Sequence, residues 1–208
     1  FLGQKIAKNK NCKNLIQTNF CHKLNEANSF DSKKITLDEE NLCFKEKSFD
    51  LIINNLALHF INDVRANLFE NKQLLKEDGV FVGFFFGGKT LKELRDVFNK
   101  AEIEIYNRIS PRIIPFIDVK DSGMLAQKAG FKNIISDSQN IEISYNSLLK
   151  MLQDLKNMGL GNILFARNKS IISKKMFFLM EKLIKDLYNV DDNGFICTFE
   201  VITITAFN

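Results

Sequence analysis

The segment GFFFGGKT at residues 83–90 matches the phosphate-binding loop pattern G-x-x-x-x-G-K-[ST] at every required position. In such a loop, backbone N–H groups surround the phosphates, the lysine contacts them, and the hydroxyl binds Mg²⁺. Lys89 and Thr90 would take the last two roles. The match raises the hypothesis of a nucleoside triphosphatase, which predicts Mg-ATP or Mg-GTP binding that is lost in Lys89→Ala.

The surroundings of the motif favour another interpretation. A phosphate-binding loop normally follows the strand that opens its nucleotide-binding unit, whereas residues 83–90 follow a later strand, and no convincing apolar strand ends in an Asp for Mg²⁺. Three consecutive phenylalanines suit the end of a buried strand. Thr90 and Glu93 have the spacing of a capping box at a helix start. We therefore predict a strand end, a glycine turn and a helix start, with Lys89 in solvent.

The composition is that of one soluble α/β domain. The 208 residues are 45% hydrophobic and 26% charged, which allows a sizeable core. The net charge of +4 arises from lysines scattered among acidic residues, so the sequence offers no basic stripe for nucleic acid. The apolar runs fall short of the ~20 residues that a membrane-spanning helix needs, and Phe1 does not begin a signal peptide. We expect a cytoplasmic protein without a transmembrane segment.

Cysteines and histidines are not spaced for metal binding. The four cysteines show no C-x-x-C spacing, and the only two histidines are His22 and His59. We therefore predict reduced thiols and no metal site.

Apolar runs that alternate with helical patterns predict β-α-β units and a parallel sheet. Strands are predicted at residues 15–19, 34–37, 48–54, 79–85, 131–136, 141–145 and 195–207. Helices are predicted at residues 62–76, 118–129, 147–158 and 173–188, and from residue 90 along the apolar stripe Leu91, Leu94, Phe98, Ala101 and Ile105. The fold class is a doubly wound α/β sheet, mostly parallel with an antiparallel C-terminal strand. The chain 1–208 is one domain, and residues 140–190 are a mainly helical insertion or cap.

Polar side chains follow three predicted strands. Asn19 follows the first, Asp38 and Glu39 follow the second, and Asn54 and Asn55 follow the third. Ligands of open parallel sheets bind at the carboxyl ends of the strands. Carboxylate or amide oxygens after successive strands suit the ribose and base of a nucleoside, although Asp38 and its acidic neighbours also fit a solvated turn.

Several motifs carry a resemblance to a known family. The acidic turn, then FDLI, LHF and LKEDGVF, resembles the class I S-adenosylmethionine-dependent methyltransferases. FGGKTLKELR, SPRIIPF, LAQKAGF and LQDLKNMG resemble the mitochondrial complex I assembly factor 5 group and its alphaproteobacterial relatives, which are also similar to malonyl-carrier-protein methyltransferases. The resemblance covers nearly the whole chain and implies a Rossmann-like methyltransferase fold.

The resemblance also implies roles for particular residues. S-adenosylmethionine would contact the residues that follow the first three strands: Asn19, Phe20, Asp38, Glu39, Asn54, Asn55 and Leu56. The acceptor substrate would lie against a second set: His59, Phe86, Gly87, Gly88, Arg95, Arg112 and Arg167. His59 alternatively packs as a structural residue, and the two later arginines fit solvent-exposed positions equally well. No catalytic residue is assigned.

Two departures from the family pattern concern the cofactor. The first strand and its Gly-rich loop are missing, since residues 1–10 resemble the helix that follows them. The acid expected after the next strand is replaced by Asn19, whose amide accepts a hydrogen bond without a charge. We expect that the chain begins partway through the native protein, and genuine loss of the nucleotide site is the alternative.

Four hypotheses of function follow. The first is an S-adenosylmethionine-dependent methyltransferase that acts on a small-molecule or protein acceptor; because methyl transfer mainly requires positioning, it suits a chain with few histidines. The second, implied by the resemblance, is hydroxylation of an arginine in a respiratory complex I subunit. The third is a non-catalytic assembly factor for that complex. The fourth is the phosphate-loop nucleoside triphosphatase.

Overall fold

Helices and strands alternate along the chain. The computed structural model describes residues 2–27, 32–165, 167–168, 170–188 and 194–208. Its helices are α1 (Leu2–Ala7), α2 (His22–Glu26), α3 (Val64–Leu74), α4 (Lys92–Tyr106), α5 (Val119–Lys128), α6 (Leu148–Asn157) and α7 (Lys174–Leu187). Its strands are β1 (Ile16–Asn19), β2 (Lys33–Thr36), β3 (Phe49–Asn55), β4 (Leu75–Phe86), β5 (Lys132–Tyr145) and β6 (Phe195–Phe207). A 3₁₀ turn, Leu58–Phe60, follows β3.

The strands form two sheets in the described part of the chain. The larger sheet has the order β3-β4-β6-β5, and the smaller one contains β1 and β2. The β1–β2 and β3–β4 pairs are parallel, whereas β6 is antiparallel to both of its neighbours. The predicted α/β class with an antiparallel C-terminal strand is confirmed. No described strand pairs with both sheets.

The long strand β6 joins the two halves of the core. Successive side chains of a strand point to opposite faces, and β6 uses both. Cys197 and Phe199 belong to a first core cluster with residues of α4, α6 and α7. Ile202 and Ile204 belong to a second core cluster with residues of α3 and α5. One apolar strand is therefore buried on one face near its start and on the other near its end.

Two predicted boundaries were wrong because distant parts of the chain decide them. Leu75 begins β4 directly after α3, where a helix to residue 76 and a strand only from residue 79 were predicted. Asn208 donates its side-chain amide to the carbonyls of Leu75 and Lys76, which holds this stretch extended. Residues 131–136 and 141–145, predicted as separate strands, lie in or beside β5, because its polar middle also pairs with β6.

The helices between β5 and β6 complete the first core cluster. Met151 of α6 and Met176 and Met180 of α7 are fully buried in it. This packing fixes α4 against the sheet, and the start of α4 borders the candidate site.

Candidate functional site

The glycine turn after β4 is bonded to β6 through Glu200, whose side chain is buried. The backbone N–H of Lys89 donates to Glu200 Oε2 at 2.9 Å, and that of Gly87 donates to the Glu200 carbonyl at 2.8 Å. The Lys89 ammonium lies 3.8 Å from Glu200 Oε1. In a phosphate-binding loop these groups would face phosphate. The Glu200 carboxylate therefore occupies the place that a phosphate would take, which argues against the triphosphatase hypothesis.

The predicted capping box was wrong. Thr90 Oγ1 donates to the Glu200 carbonyl and accepts from the Glu200 N–H, both at 3.1 Å. Glu93 accepts from the backbone N–H and the hydroxyl of Thr198. The helix α4 starts instead from Leu91 in a left-handed conformation with φ 57°. Strand β6 provides partners that spacing along the chain could not reveal.

The glycine turn packs so closely against β6 that position 87 must be a glycine. A Cβ on Gly87 would lie 2.6 Å from Glu200 Oε2 and 2.8 Å from Ile202 Cδ1. Such distances are shorter than van der Waals contact, so a side chain here would push the turn away from β6. The side chain of Phe86 before it is buried in the first core cluster.

His59 lies among aromatic rings at the carboxyl ends of β3 and β4. Its ring centroid is 4.2 Å from Phe60, 5.0 Å from Phe86 and 6.0 Å from Phe116. Burial lowers the pKa of His59 to about 4, so the imidazole is neutral at pH 7. Both ring nitrogens are buried, and neither has a hydrogen-bond partner among the described residues. Such orphaned groups cost about 1–3 kcal/mol each and are expected where a ligand or water supplies the partner.

Arg95 places a cation beside the glycine turn. Its Nη1 donates to the Gly88 carbonyl at 3.2 Å and its Nη2 to the Thr90 carbonyl at 3.3 Å. Burial lowers its pKa, and no carboxylate among the described residues forms an ion pair with it. A half-buried guanidinium without a counter-charge is suited to an anionic group of a ligand.

Gly88 links this cation to the aromatic rings. A Cβ on Gly88 would lie 3.9 Å from the carbonyl of Phe116, which borders His59. His59, Phe86, Gly88 and Arg95, which were predicted to lie against the acceptor, are thus neighbours in the fold.

The turn after β3 has a constrained geometry. Asn54 Oδ1 accepts from the N–H of Leu58 at 3.2 Å, and the Leu56 N–H donates to the Phe84 carbonyl at 2.7 Å. Leu56 has φ 57°, and Asn55 and Leu56 are exposed. The exposed pair lies at the end of the strand, where a ligand of a parallel sheet would be bound.

The turns after β1 and β2 are more exposed. Asn19 Oδ1 accepts from the N–H of Cys21 at 2.8 Å, and the ring of Phe20 is exposed. Asp38 Oδ1 accepts from the N–H of Glu40 at 3.0 Å. Burial, and after it the charge of Asp38, raises the pKa of Glu39. In the described part of the chain, hydrogen bonds connect this region to α3 through Asn67, which donates to the Glu39 carbonyl.

The two remaining predicted arginines lie elsewhere. Arg112 donates Nε to Glu102 Oε1 at 2.8 Å and Nη1 to the Ser170 carbonyl at 3.1 Å. Arg167 donates to the Leu164 carbonyl and is exposed. No described contact joins either side chain to His59. Their assignment to the acceptor stays a prediction.

A groove of about 670 Å³ lies between α5 and the start of β5, away from these residues. It is open to solvent and lined by Val119, Lys120, Gly123, Met124, Gln127, Phe131, Lys132, Asn133, Ile134 and Ser136. Nothing in its lining corresponds to a residue that the sequence assigned to a ligand.

Sequence reasoning missed Phe116 and Glu200. Phe116 ends the SPRIIPF motif, so the motif itself was the signal for its place beside His59. Glu200 interrupts an apolar strand with a charged residue, and a buried carboxylate in such a run indicates a partner elsewhere in the fold.

Comparison with known proteins identifies the family. A family described as "Methyltransferase domain" matches residues 4–83. The chain is 42% identical over 157 residues to the putative methyltransferase RP459 of Rickettsia prowazekii, across 75% of this chain and 70% of that protein. The chain belongs to the S-adenosylmethionine-dependent methyltransferase superfamily. It is a methyltransferase-like protein, as its sequence motifs predicted.

Other relatives are longer. The chain is 37% identical over 167 residues to the mitochondrial arginine-hydroxylase NDUFAF5 of Mus musculus, across 80% of this chain and 48% of that protein. It is 30% identical over 166 residues to the malonyl-[acyl-carrier protein] O-methyltransferase of Nitrosospira multiformis, across 79% of this chain and 51% of that protein. The chain thus spans about half the length of these two relatives.

Solved structures confirm the fold. The YcgJ protein of Bacillus subtilis superimposes with a TM-score of 0.60 at 16% identity, across 94% of this chain and 82% of that one. A putative methyltransferase of Bacillus halodurans gives a TM-score of 0.56 at 12% identity, across 94% and 83%. At these identities the likeness shows the fold alone. None of the described helices is long and apolar enough to cross a membrane.

Proposed function

We propose that this protein transfers a methyl group from S-adenosylmethionine to an acceptor bound beside His59. The observation that carries the proposal is the neutral imidazole of His59, buried among aromatic rings with both nitrogens unpartnered in the described structure. A neutral imidazole offers one hydrogen-bond donor and one acceptor. It can therefore orient the nucleophilic atom of the acceptor through a hydrogen bond.

Some of the residues that follow β1, β2 and β3 are free to bind S-adenosylmethionine. Asp38 keeps one carboxylate oxygen outside its local turn, and Asn55 is exposed at the end of β3. The amide oxygen of Asn19 already accepts a hydrogen bond from the N–H of Cys21 in its own turn. Asp38 and Glu39 would hold the adenosine, and Asn55 and Leu56 the methionine part. When bound, the cofactor supplies an electrophilic methyl group on a positively charged sulfur.

The acceptor-side residues suit the environment that methyl transfer needs. Phe60, Phe86 and Phe116 surround the imidazole and would exclude water from the reacting atoms. Aromatic faces also attract a cation such as a sulfonium. Because both nitrogens are buried, we propose that Phe116, which lies outside helix and strand, moves aside when the acceptor enters.

Arg95 indicates the charge of the acceptor. The guanidinium binds two backbone carbonyls and has no acidic partner among the described residues. It would bind a carboxylate or phosphate of the acceptor, which holds the reacting group near His59. Positioning of this kind supplies much of the rate in transfers that need no covalent intermediate.

Calorimetric titration with S-adenosylmethionine tests the cofactor assignment. We expect measurable binding that Asp38→Asn with Glu39→Gln weakens at least about tenfold, because hydrogen bonds to charged groups are worth about 1.5–3 kcal/mol each. Glu46→Gln is the matched control, since Glu46 is an exposed acidic residue outside the turn. The titration uses the complete native protein, and the absence of any binding to it would contradict the proposal and favour the non-catalytic assembly factor.

His59→Phe tests the acceptor site separately. Phenylalanine keeps the aromatic packing and removes both nitrogens, so the cofactor dissociation constant should stay the same. Transfer of a labelled methyl group should fall about 100-fold, because the acceptor loses the group that orients it. His22→Phe is the control, because His22 is the only other histidine and is exposed.

A second candidate is hydroxylation of an arginine side chain in a protein acceptor. It is favoured by the 37% identity to the arginine-hydroxylase NDUFAF5 of Mus musculus across 80% of this chain. The Arg95 cation is less suited to a cationic substrate than to an anionic one. Mass spectrometry of candidate acceptors distinguishes the two reactions, because methylation adds CH₂ and hydroxylation adds O. An acceptor that gains only O would overturn methyl transfer.

A further inference from the structure

The segment between α6 and α7 carries large apolar side chains that the described protein leaves uncovered. Phe165 is 95% exposed, Ile171 is 93% exposed and Ile163 is 52% exposed. Single exposed apolar residues are ordinary on protein surfaces, but a cluster marks a site of interaction. We call Ile163, Phe165 and Ile171 the apolar tip.

The segment that carries Ile163 and Phe165 has a closed neck, and Ile171 directly follows it. Both ends of the segment are hydrogen-bonded to three successive residues of the loop after α4. The bonds join Asn162 to the Pro111 carbonyl at 2.8 Å, Asn168 to Ser110 Oγ at 3.1 Å, and the Ser170 carbonyl to Arg112 at 3.1 Å. A surface segment whose ends meet in this way is an Ω-loop, and such loops are frequently functional.

The neck is fixed to the core by a buried carboxylate. Glu102 on α4 is 1% exposed and accepts from the backbone and hydroxyl of Ser110 and from Arg112 Nε. The guanidinium of Arg112 also lies 6.0 Å from the ring centroid of Phe98. The apolar tip is therefore presented on a rigid base.

The charged residues in this part of the sequence have one sign. Between Asp154 and Glu181 the sequence contains no acidic residue, and its charged residues are Lys156, Arg167, Lys169, Lys174 and Lys175. Two of them, Lys174 and Lys175, occupy the first turn of α7. The helix dipole favours acidic residues there, so helix stability does not explain these lysines.

We propose that this surface docks onto an anionic phospholipid bilayer. The apolar tip would enter the boundary between headgroups and acyl chains, while Arg167, Lys174 and Lys175 contact lipid phosphates. Apolar side chains flanked by cations bind such interfaces through burial and electrostatic attraction together. A stable protein interface instead needs about 800 Å² from each partner, which suits a broad surface better than a projecting loop.

The chain contains no tryptophan, so a single substitution provides a specific reporter. In Phe165→Trp we expect the fluorescence to shift to the blue with phosphatidylglycerol–phosphatidylcholine vesicles, and far less with phosphatidylcholine alone. Phe69→Trp is the matched control, because Phe69 is a half-exposed phenylalanine on α3. An unchanged spectrum of Phe165→Trp, or an equal shift of Phe69→Trp, would overturn the proposal.

Vesicle co-sedimentation separates the contribution of the apolar side chains from that of the lysines. Phe165→Ser should weaken binding about tenfold or more, as should Lys174→Gln with Lys175→Gln, because each cation near an anionic surface contributes about fivefold. Phe69→Ser should bind like the parent. The substituted side chains are exposed, so thermal unfolding should remain unchanged. A shift of Phe165→Trp with poly-glutamate but not with vesicles would instead assign the surface to an acidic protein.

Discussion

The two sides of the candidate cleft are built very differently. The acceptor side, which comprises β4, the start of α4 and β6, lies in a four-stranded sheet between two core clusters. The cofactor side, which comprises β1, β2 and residues 37–40, is a two-stranded sheet of four-residue strands with few buried side chains. Two strands alone are marginally stable in water. The acceptor side is therefore preorganised, whereas the cofactor side has little local stability of its own.

The reactivity of the cysteines should show the largest difference between the two sides. Cys197 on the acceptor side is fully buried, and burial, followed by the charge of Glu93, raises the pKa of its thiol to about 12. Cys21 and Cys43 near the cofactor side are exposed. A thiol reagent should label the exposed pair within the mixing time, and Cys197 only after unfolding that costs about 5 kcal/mol or more. Mass spectrometry of peptides after timed labelling gives the rates.

Equal rates at Cys197 and Cys43 would show that the acceptor side opens as readily as the cofactor side. Single Cys→Ala variants identify each labelled position and serve as the control.

Truncation of an apolar side chain in each sheet should rank the two sides in the same order. Phe81 in β4 is 0% exposed, so Phe81→Ala should lower the free energy of unfolding by about 3–5 kcal/mol. Ile16 in β1 is half-buried, so Ile16→Ala should cost about 1 kcal/mol or less, because that sheet opens locally before the whole molecule unfolds. Urea unfolding followed by circular dichroism measures both. A larger loss for Ile16→Ala would reverse the comparison.

The buried ion pair behind the acceptor side should have an intermediate effect. In Glu102→Ala, Arg112 keeps a cation in a site where its side chain is 10% exposed, so stability should fall by about 3 kcal/mol. The exposed residue Glu104, two positions along α4, provides the control Glu104→Ala, which should change stability by less than about 0.5 kcal/mol. Thermal or urea unfolding at pH 7 gives both values. A loss below about 1 kcal/mol would show that the neck is not clamped by this pair.

The pH dependence of this pair has a definite sign. Burial alone raises the pKa of Glu102, but hydrogen bonds from Ser110 and Arg112 outweigh it and hold the pKa below the ordinary value of 4.5. A carboxylate with a lowered pKa stabilises the fold above its unfolded pKa and loses that effect as the pH falls through the folded value. The stability difference between the parent and Glu102→Gln should therefore be constant from pH 7 to about pH 5 and shrink below about pH 4.

The smallest effect is expected at the lysine of the apparent phosphate loop. The Lys89 side chain is 60% exposed and lies 3.8 Å from Glu200, so Lys89→Ala should change stability by less than about 0.5 kcal/mol. Mg-ATP should bind neither the parent nor the variant in a calorimetric titration. Nucleotide binding that disappears in Lys89→Ala would restore the triphosphatase hypothesis, and Lys92→Ala controls for the general loss of a surface lysine.

The elements of the fold could mostly be read from local patterns. Helices α4, α5, α6 and α7 follow apolar periodicities of about 3.6 residues, and β3, β4 and β6 are apolar runs rich in β-branched or aromatic residues. The polar middle of β5 was missed because it is extended only through its pairing with β6. The boundary at Leu75 was missed for the same kind of reason, since Asn208 stabilises it from the other end of the chain.

The sequence by itself determined the α/β class, the methyltransferase likeness and the residues that follow each strand, because propensity, spacing and motif are local properties. Only the tertiary structure decided the roles within GFFFGGKT. Lys89, Thr90 and Glu93 follow the spacing of two well-known motifs, yet all three bond to Thr198 or Glu200 in β6. The physical reason is that hydrogen bonds form with whichever partner the fold brings close, and β6 is more than a hundred residues away along the chain.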